Sequence, residues 1–139
     1  MVKLRREEDM CFACSPRNPI GLKLVFEHDG DVCRTHFVAK PEHQGWDGVL
    51  HGGLVATLLD EVMAQWLCER GYLTMTAEMT IRYSKAIPIG EVVIVEGYNL
   101  LLKKRLIEMA GKVLLPDGTV AVRATAKYLK VDQDQGKKS

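Results

Sequence analysis

Apolar and polar positions alternate along this chain with two different periods. Two short β-type segments near the start, 22–28 and 32–38, flank Asp29-Gly30, a pair typical of a tight hairpin turn. Residues 53–69 are apolar on nearly all sides of a helical projection, although two consecutive acidic residues lie in the middle. The pattern therefore predicts a hairpin followed by a long helix that is buried.

Four further segments follow the predicted helix, and each has the period of two that is typical of strands. They cover residues 74–87, 91–102, 105–115 and 119–131. Two strands, one buried helix and four more strands predict an α+β architecture, in which an antiparallel sheet of about six strands wraps round one long central helix.

The chain has 139 residues, of which 47% are hydrophobic, so it can form one domain with a true core. We expect a single domain over 1–139, with residues 1–20 as a lead-in and residues 132–139 as a polar tail. A net charge of +1 provides no general field for nucleic acid or for a membrane surface, so neither is expected as a partner. Charged residues stand where a signal peptide would be apolar, and the expected location is cytoplasmic.

The start of the predicted helix carries the most informative residues. His51-Gly52-Gly53 opens it, and Asp60 lies farther along in apolar surroundings. Glycines at a helix start allow a ligand to approach the backbone N–H groups, where the helix dipole favours a developing oxyanion. A carboxylate in an apolar helix is costly unless it has partners or a chemical role. Together these features indicate acyl-transfer chemistry.

The order of motifs resembles that of a known family. Residues 45–53 read Gly-Trp-Asp-Gly-Val-Leu-His-Gly-Gly, Asp60 follows, and residues 83–88 come after the helix. This pattern resembles the hotdog-fold acyl-CoA thioesterases, in particular the phenylacetate-degradation-like branch of the 4-hydroxybenzoyl-CoA thioesterase superfamily. The resemblance covers about residues 20–131, and it implies a hotdog fold and a thioester hydrolase that releases a free acid and coenzyme A.

The resemblance also implies site residues. It places a catalytic carboxylate at Asp60, an oxyanion-hole amide at Gly52, an assisting imidazole at His51 and a hydroxyl residue at Thr76 on the strand after the helix. Asp60 would act on water as a general base or attack the carbonyl as a nucleophile, and the sequence leaves both open.

The spacing of two of these residues predicts an assembly. Asp60 lies eight residues beyond Gly52, or roughly 12 Å along a helix axis. Both groups must act within about 3 Å of one reacting carbonyl. Two antiparallel helices of a symmetric pair would bring Gly52 of one chain to Asp60 of the other. We therefore expect an obligate homodimer, and the sequence leaves a dimer of dimers open.

Substrate contacts are expected round the same helix start and at local positive charge. Gly53 would line the site. Some relatives have a polar amide residue at the position of Gly45, and the sequence leaves open whether Gln44 or His43 takes that role or whether the role is absent. Basic side chains near strand ends are candidates for the phosphates of coenzyme A. These are Arg82, Lys85, Lys103, Lys104 and Arg105.

The cysteines and two alternative functions complete the sequence prediction. Cys11 and Cys14 have the spacing of half a zinc site, but no second cysteine pair or close histidine pair follows, so no metal and no separate cofactor are predicted. Glu61, next to Asp60, is assigned a structural or interfacial role. A non-catalytic acyl-CoA-binding module and a hotdog enoyl-CoA hydratase or dehydratase remain as alternatives to the thioesterase.

Overall fold

A computed structural model describes residues 9–131 of the chain. It contains one long helix, α1 (Gly52–Glu69), and a six-stranded antiparallel sheet in the order β1-β2-β4-β5-β6-β3. The strands are β1 (Phe26–Asp29), β2 (Val32–Val38), β3 (Thr74–Tyr83), β4 (Val92–Leu102), β5 (Leu106–Leu114) and β6 (Val120–Lys130). The predicted α+β architecture of six strands and one central helix is confirmed.

Helix α1 is held by its apolar face against the sheet. Its fully buried side chains include Leu58, Leu59, Val62 and Met63, which belong to the main hydrophobic core. A Cβ added to Gly97 of β4 would come within 3.1 Å of the backbone of α1, so a residue without a side chain is required where helix and sheet cross. Burial of this face fixes which helix residues point away from the core and towards possible ligands.

Two strand boundaries differ by four residues from the sequence prediction, and the others differ by at most one. The segment predicted as 22–28 is strand only from Phe26, because Leu22 and Leu24 donate backbone hydrogen bonds to Phe12 and Ala13 of the lead-in, at 2.8 and 3.0 Å. The strand predicted to reach residue 87 ends at Tyr83. The predicted tail 132–139 and residues 1–8 of the lead-in lie outside the described residues.

Strand β3 positions the two ends of the candidate site. It lies at an edge of the sheet, pairs with β6 and has a register shift between Thr76 and Glu78. Its last residue, Tyr83, contacts Gly52 at the start of α1, whereas Thr76 near its beginning contacts Asp60. The strand therefore runs antiparallel to the helix and supplies a polar side chain at each of the two positions.

Within residues 9–131, no helix has both the length and the apolar character needed to cross a membrane.

Candidate active site

The start of α1 is capped by the side chain of His51. Its Nδ1 accepts a hydrogen bond from the backbone N–H of Gly53 at 2.8 Å. An accepting Nδ1 requires a neutral ring with its proton on Nε2, so the exposed edge of the imidazole offers a donor. The N–H of Gly52, at the first helical position, has no hydrogen-bond acceptor among the described residues. This N–H is therefore available to a ligand at the positive end of the helix dipole.

The two glycines at this helix start are present for different reasons. A Cβ on Gly53 would lie 3.1 Å from the imidazole of His51, so the cap itself requires a glycine there. A Cβ on Gly52 would meet Tyr83 only at 3.7–3.8 Å, an ordinary contact. Tyr83 also donates a hydrogen bond from its hydroxyl to the carbonyl of Gly52 at 2.8 Å. Packing within the chain does not demand a glycine at 52, and its exposed surface remains open to a ligand.

Asp60 is held by two hydroxyl groups from different strands. Its Oδ1 accepts hydrogen bonds from Thr76 Oγ1 at 2.8 Å and from the hydroxyl of Tyr128 at 2.7 Å. No described residue donates a hydrogen bond to Oδ2. The carboxylate is thus fixed through one oxygen, while the other oxygen can accept a proton from water or attack a carbonyl.

Tyr128 is a neutral donor to this carboxylate. Its side chain is buried, and burial, followed by the negative charge of Asp60, raises the pKa of its hydroxyl above the ordinary value. A hydroxyl that keeps its proton continues to donate, so the orientation of Asp60 does not change over the range in which enzymes normally act.

The described residues form two hollows beside the start of α1. The first has a volume of about 510 Å³ and is lined by Gly52, Tyr83 and Lys85 together with apolar side chains. The second has a volume of about 470 Å³ and lies against Gly45, Trp46 and His51. Gly52 lines both hollows, so a ligand in either one lies against this residue.

Among the predicted substrate contacts, Lys85 lines the same hollow as Gly52, whereas Gly53 and Gln44 form hydrogen bonds within their own segment. The N–H of Gly53 is bonded to His51. The amide of Gln44 donates to the carbonyl of Pro41 at 2.9 Å and accepts from the N–H of Gly48, so it braces the loop before the helix.

The remaining predicted basic contacts lie away from the start of α1. Arg82 alternates with Tyr83 along β3 and borders a depression with Arg123 on the opposite face of the sheet. Three exposed residues form the connection between β4 and β5, at the end of the sheet where β3 begins. They are Lys103, Lys104 and Arg105.

The amino-acid sequence around this site matches the model of a protein family. Residues 47–122 match the model described as the thioesterase superfamily, which is more than half of the chain. The chain belongs to the thioesterase superfamily.

Curated relatives of this superfamily member are acyl-coenzyme A thioesterases. The chain is 30% identical to acyl-coenzyme A thioesterase THEM4 of Mus musculus over 140 residues, which covers 96% of this chain and 60% of the relative. It is 37% identical to acyl-coenzyme A thioesterase 13 of Homo sapiens over 67 residues, covering 47% of this chain and 48% of the relative. The chain thus spans about half the length of the curated relatives that it matches.

Solved structures support the fold of this thioesterase superfamily member. A crystal structure of another superfamily protein matches with a TM-score of 0.79 and 29% identity, over 84% of this chain and 61% of the other. The phenylacetic acid degradation protein PaaI of Thermus thermophilus, in a mutant form, matches with a TM-score of 0.72 and 19% identity, over 79% and 95% of the two chains. A hypothetical thioesterase of Streptococcus pneumoniae, crystallised with coenzyme A, matches with a TM-score of 0.73 and 19% identity, over 78% and 85%. The expected hotdog fold is confirmed.

Two tyrosines at this site were not identified from the sequence. Alternation in the last strand places Tyr128 on the same face as its buried alanines, but nothing in the pattern indicates which helix residue it meets. Tyr83 ends β3 and was recognised only as part of a motif. Both contacts join the helix to strands that are distant in sequence, so they require knowledge of the strand order.

Proposed function

We propose that this protein hydrolyses an acyl-CoA thioester to a free acid and coenzyme A. The observation that carries the proposal is the state of Asp60, whose Oδ1 is fixed by Thr76 and Tyr128 while its Oδ2 has no donor among the described residues. Asp60 is only partly buried, so its Oδ2 remains open to water or to a substrate carbonyl while Oδ1 stays fixed. A carboxylate held by one side is suited to act on water or on a carbonyl.

The N–H of Gly52 is the proposed oxyanion donor. During attack, negative charge develops on the thioester oxygen, and a fixed N–H at the positive end of a helix stabilises that charge without reorganising. His51 keeps this helix start in place through its bond to Gly53, and its Nε2–H is the proposed assisting donor. Asp60 removes the proton from the attacking water, or attacks directly to form an anhydride that water then cleaves. In both routes the coenzyme A thiolate leaves and is protonated.

Two protomers are proposed to complete each site. Within one helix the Gly52 N–H and the Asp60 carboxylate are roughly 12 Å apart along the axis, too far to share one carbonyl. Among the described residues, strand β3 has a neighbouring strand on one side only, and it exposes Met75 and Tyr83, as expected for a strand that pairs with a second copy.

The contacts of β3 suggest the register of that pairing. Thr76 bonds Asp60 and Tyr83 bonds Gly52, so an antiparallel pairing of two β3 strands centred between Met79 and Thr80 places Thr76 opposite Tyr83 of the second copy. The acid of one protomer then lies beside the helix start of the other. A twofold axis generates two equivalent composite sites.

Coenzyme A phosphates are proposed to bind near Lys85, whose side chain borders the hollow at Gly52. The acyl group would occupy the apolar part of the same hollow, which includes Val55 and Ile87.

A panel of acyl-CoA thioesters tests the function. Purified protein is incubated with acetyl, octanoyl, palmitoyl, phenylacetyl and benzoyl thioesters, and the released thiol is measured. We expect turnover of at least one substrate, and its loss in the Asp60→Asn variant at unchanged circular dichroism. Hydration of crotonyl-CoA without thiol release would indicate the hydratase, and tight binding without turnover would indicate the binding module. Either result would refute the proposal.

A further inference from the structure

Two thiols and a carboxylate meet on a side of α1 that the proposed reaction does not use. The Sγ atoms of Cys11 and Cys14 and a carboxylate oxygen of Glu61 all lie within 4.8 Å of one another. Cys14 is 6% exposed, while the other two residues are half-buried. No other group of three histidine, cysteine or acidic side chains converges in this way within residues 9–131.

The backbone builds this arrangement before any ligand is considered. The N–H of Ser15 donates to the carbonyl of Cys11 at 3.0 Å, which closes a turn round the Cys-x-x-Cys unit and directs both thiols to one side. Leu22 and Leu24 then bond the carbonyls of Phe12 and Ala13, between the two cysteines. The turn is thus fixed to the chain that leads into β1.

The third group is oriented by its neighbour one helical turn away. Gln65 Nε2 donates to Glu61 Oε1 at 3.0 Å, and the same nitrogen lies 3.9 Å from Cys14 Sγ. Cys11 Sγ is 3.9 Å from Glu61 Oε1, which is long for a thiol-to-carboxylate hydrogen bond. This separation leaves a gap between the two thiols and the carboxylate. A short direct hydrogen bond would have closed that gap.

We propose that Cys11, Cys14 and Glu61 bind one zinc ion that fastens the lead-in to α1. Thiolates and a carboxylate are ordinary zinc ligands, and bond lengths of about 2.3 Å to sulfur and 2.0–2.2 Å to oxygen imply ligand atoms roughly 3.5–3.8 Å apart in a tetrahedron. The observed limit of 4.8 Å is reduced to that spacing by small side-chain rotations. Each thiol loses its proton to solvent as the metal binds.

The fourth position belongs to a water molecule or to the carboxamide oxygen of Gln65. With two thiolates and one carboxylate, the site carries one net negative charge when a divalent ion is bound. Its burial and its position at the joint between lead-in and helix assign it a structural role, separate from thioester hydrolysis. The sequence prediction of no metal rested on the missing second cysteine pair, and the third ligand instead comes from a helix 47 residues beyond Cys14.

Metal content and cobalt spectra test this proposal. The whole chain is purified under a reductant that does not bind metals, its zinc is measured by mass spectrometry, and the metal-free protein is titrated with cobalt(II). We expect about one zinc per chain and the near-ultraviolet charge-transfer band of cobalt–thiolate bonds. Cys11→Ser, Cys14→Ser and Glu61→Gln should each abolish stoichiometric binding or weaken it strongly, and Gln65→Ala should weaken it about 10- to 100-fold as a neighbour of the ligands.

Matched controls separate this site from other cysteines and acids. Cys68→Ser and Glu69→Gln change the same residue types at the other end of α1 and should keep the full metal content and cobalt band. Chelation should lower the melting temperature of the wild type but not that of Cys11→Ser. The proposal is overturned if the reduced wild type binds no cobalt, if the charge-transfer band survives in Cys11→Ser and Cys14→Ser, or if chelation leaves the wild-type melting temperature unchanged.

Discussion

Asp60 and Glu61 are consecutive residues of one helix, yet they face different chemistry. Asp60 meets two hydroxyl groups, from Thr76 and Tyr128 on neighbouring strands. Glu61 meets the carboxamide of Gln65 and the thiol of Cys11. Successive helical residues point about 100° apart, so a single step along the chain moves a carboxylate from the sheet side to the lead-in side.

The difference shows how the surroundings assign a role to a carboxylate. Hydroxyl groups that keep their protons orient Asp60 without neutralising it, which suits a group that must accept a proton. The thiols beside Glu61 are potential anions, and such a cluster is stabilised by a cation. The same side-chain chemistry therefore serves hydrolysis at Asp60 and metal binding at Glu61 in our account.

Exchanging each acid for its amide should separate the two roles, with the largest effect expected at Asp60. Asp60→Asn should lower kcat about 10²- to 10⁴-fold, because the general base or nucleophile is lost, and should keep one zinc per chain. Glu61→Gln should lose the zinc and keep kcat near that of the wild type well below its melting temperature. Thiol release and metal analysis on the same samples measure both. If the two variants lowered kcat equally, the proposed separation between a catalytic Asp60 and a metal-binding Glu61 would be contradicted.

The proposed partner of Asp60 in the reaction, the Gly52 N–H, can be deleted without disturbing the helix. Proline is favoured at the first helical position, where its missing N–H costs no intrahelical bond, and the φ of −59° and ψ of 132° at His51 suit a residue before proline. Gly52→Pro should lower kcat about 10²- to 10³-fold below that of Gly52→Ala, which adds a Cβ but keeps the N–H. If both variants have the same rate, the amide is not an oxyanion donor.

The sequence was sufficient for the architecture because periodicity reports on burial. Helix α1 begins one residue before the predicted start, and β2 matches its predicted span of 32–38. The error at the start of β1 arose because Leu22 and Leu24 are apolar but bond to the lead-in instead of a neighbouring strand. Lys23 between them has a φ of 55°, which interrupts the extended backbone. Composition alone cannot distinguish these two kinds of backbone partner.

The site was accessible from the sequence only where a local motif carries it. Gly52, His51 and Asp60 belong to one continuous stretch, so their positions along α1 follow from helix geometry. Tyr128 reaches Asp60 across 68 positions, and Glu61 reaches Cys11 across 50. Contacts of this kind depend on how the strands and the lead-in pack against the helix. The spacing of residues along the sequence does not predict that packing.

Removing one donor from Asp60 should have a smaller effect than removing the acid. In Tyr128→Phe, the carboxylate loses a hydrogen bond of 2.7 Å, and hydrogen bonds to charged groups contribute about 1.5–3 kcal/mol. We expect the free energy of unfolding in urea to fall by an amount in that range, and kcat to fall less than in Asp60→Asn. A variant as stable and as active as the wild type would mean that this bond does not orient Asp60.

The smallest expected effect is a dependence on alkaline pH. The pKa of folded Tyr128 is raised above the ordinary 10.0, so its contribution to stability is complete below pH 10 and is lost as the pH rises above that value. The stability advantage of the wild type over Tyr128→Phe should shrink above pH 10 by about 1.4 kcal/mol per pH unit. Cys33, whose pKa is raised to about 12 by burial, is present in both proteins and cancels. A constant difference in urea unfolding across this range would contradict the assignment.

Mixed dimers test most directly whether Gly52 of one protomer acts with Asp60 of the other. Asp60→Asn and Gly52→Pro chains, each inactive alone, are dissociated, mixed in equal amounts and reassociated. Half of the dimers should then be mixed, and one of the two sites in each should be intact, so about a quarter of the wild-type activity should return. The same experiment with Asp60→Asn and Thr76→Ala should restore no intact site, because both changes affect the acid half. Activity no higher than that of the separate variants in the first mixture would contradict the composite site.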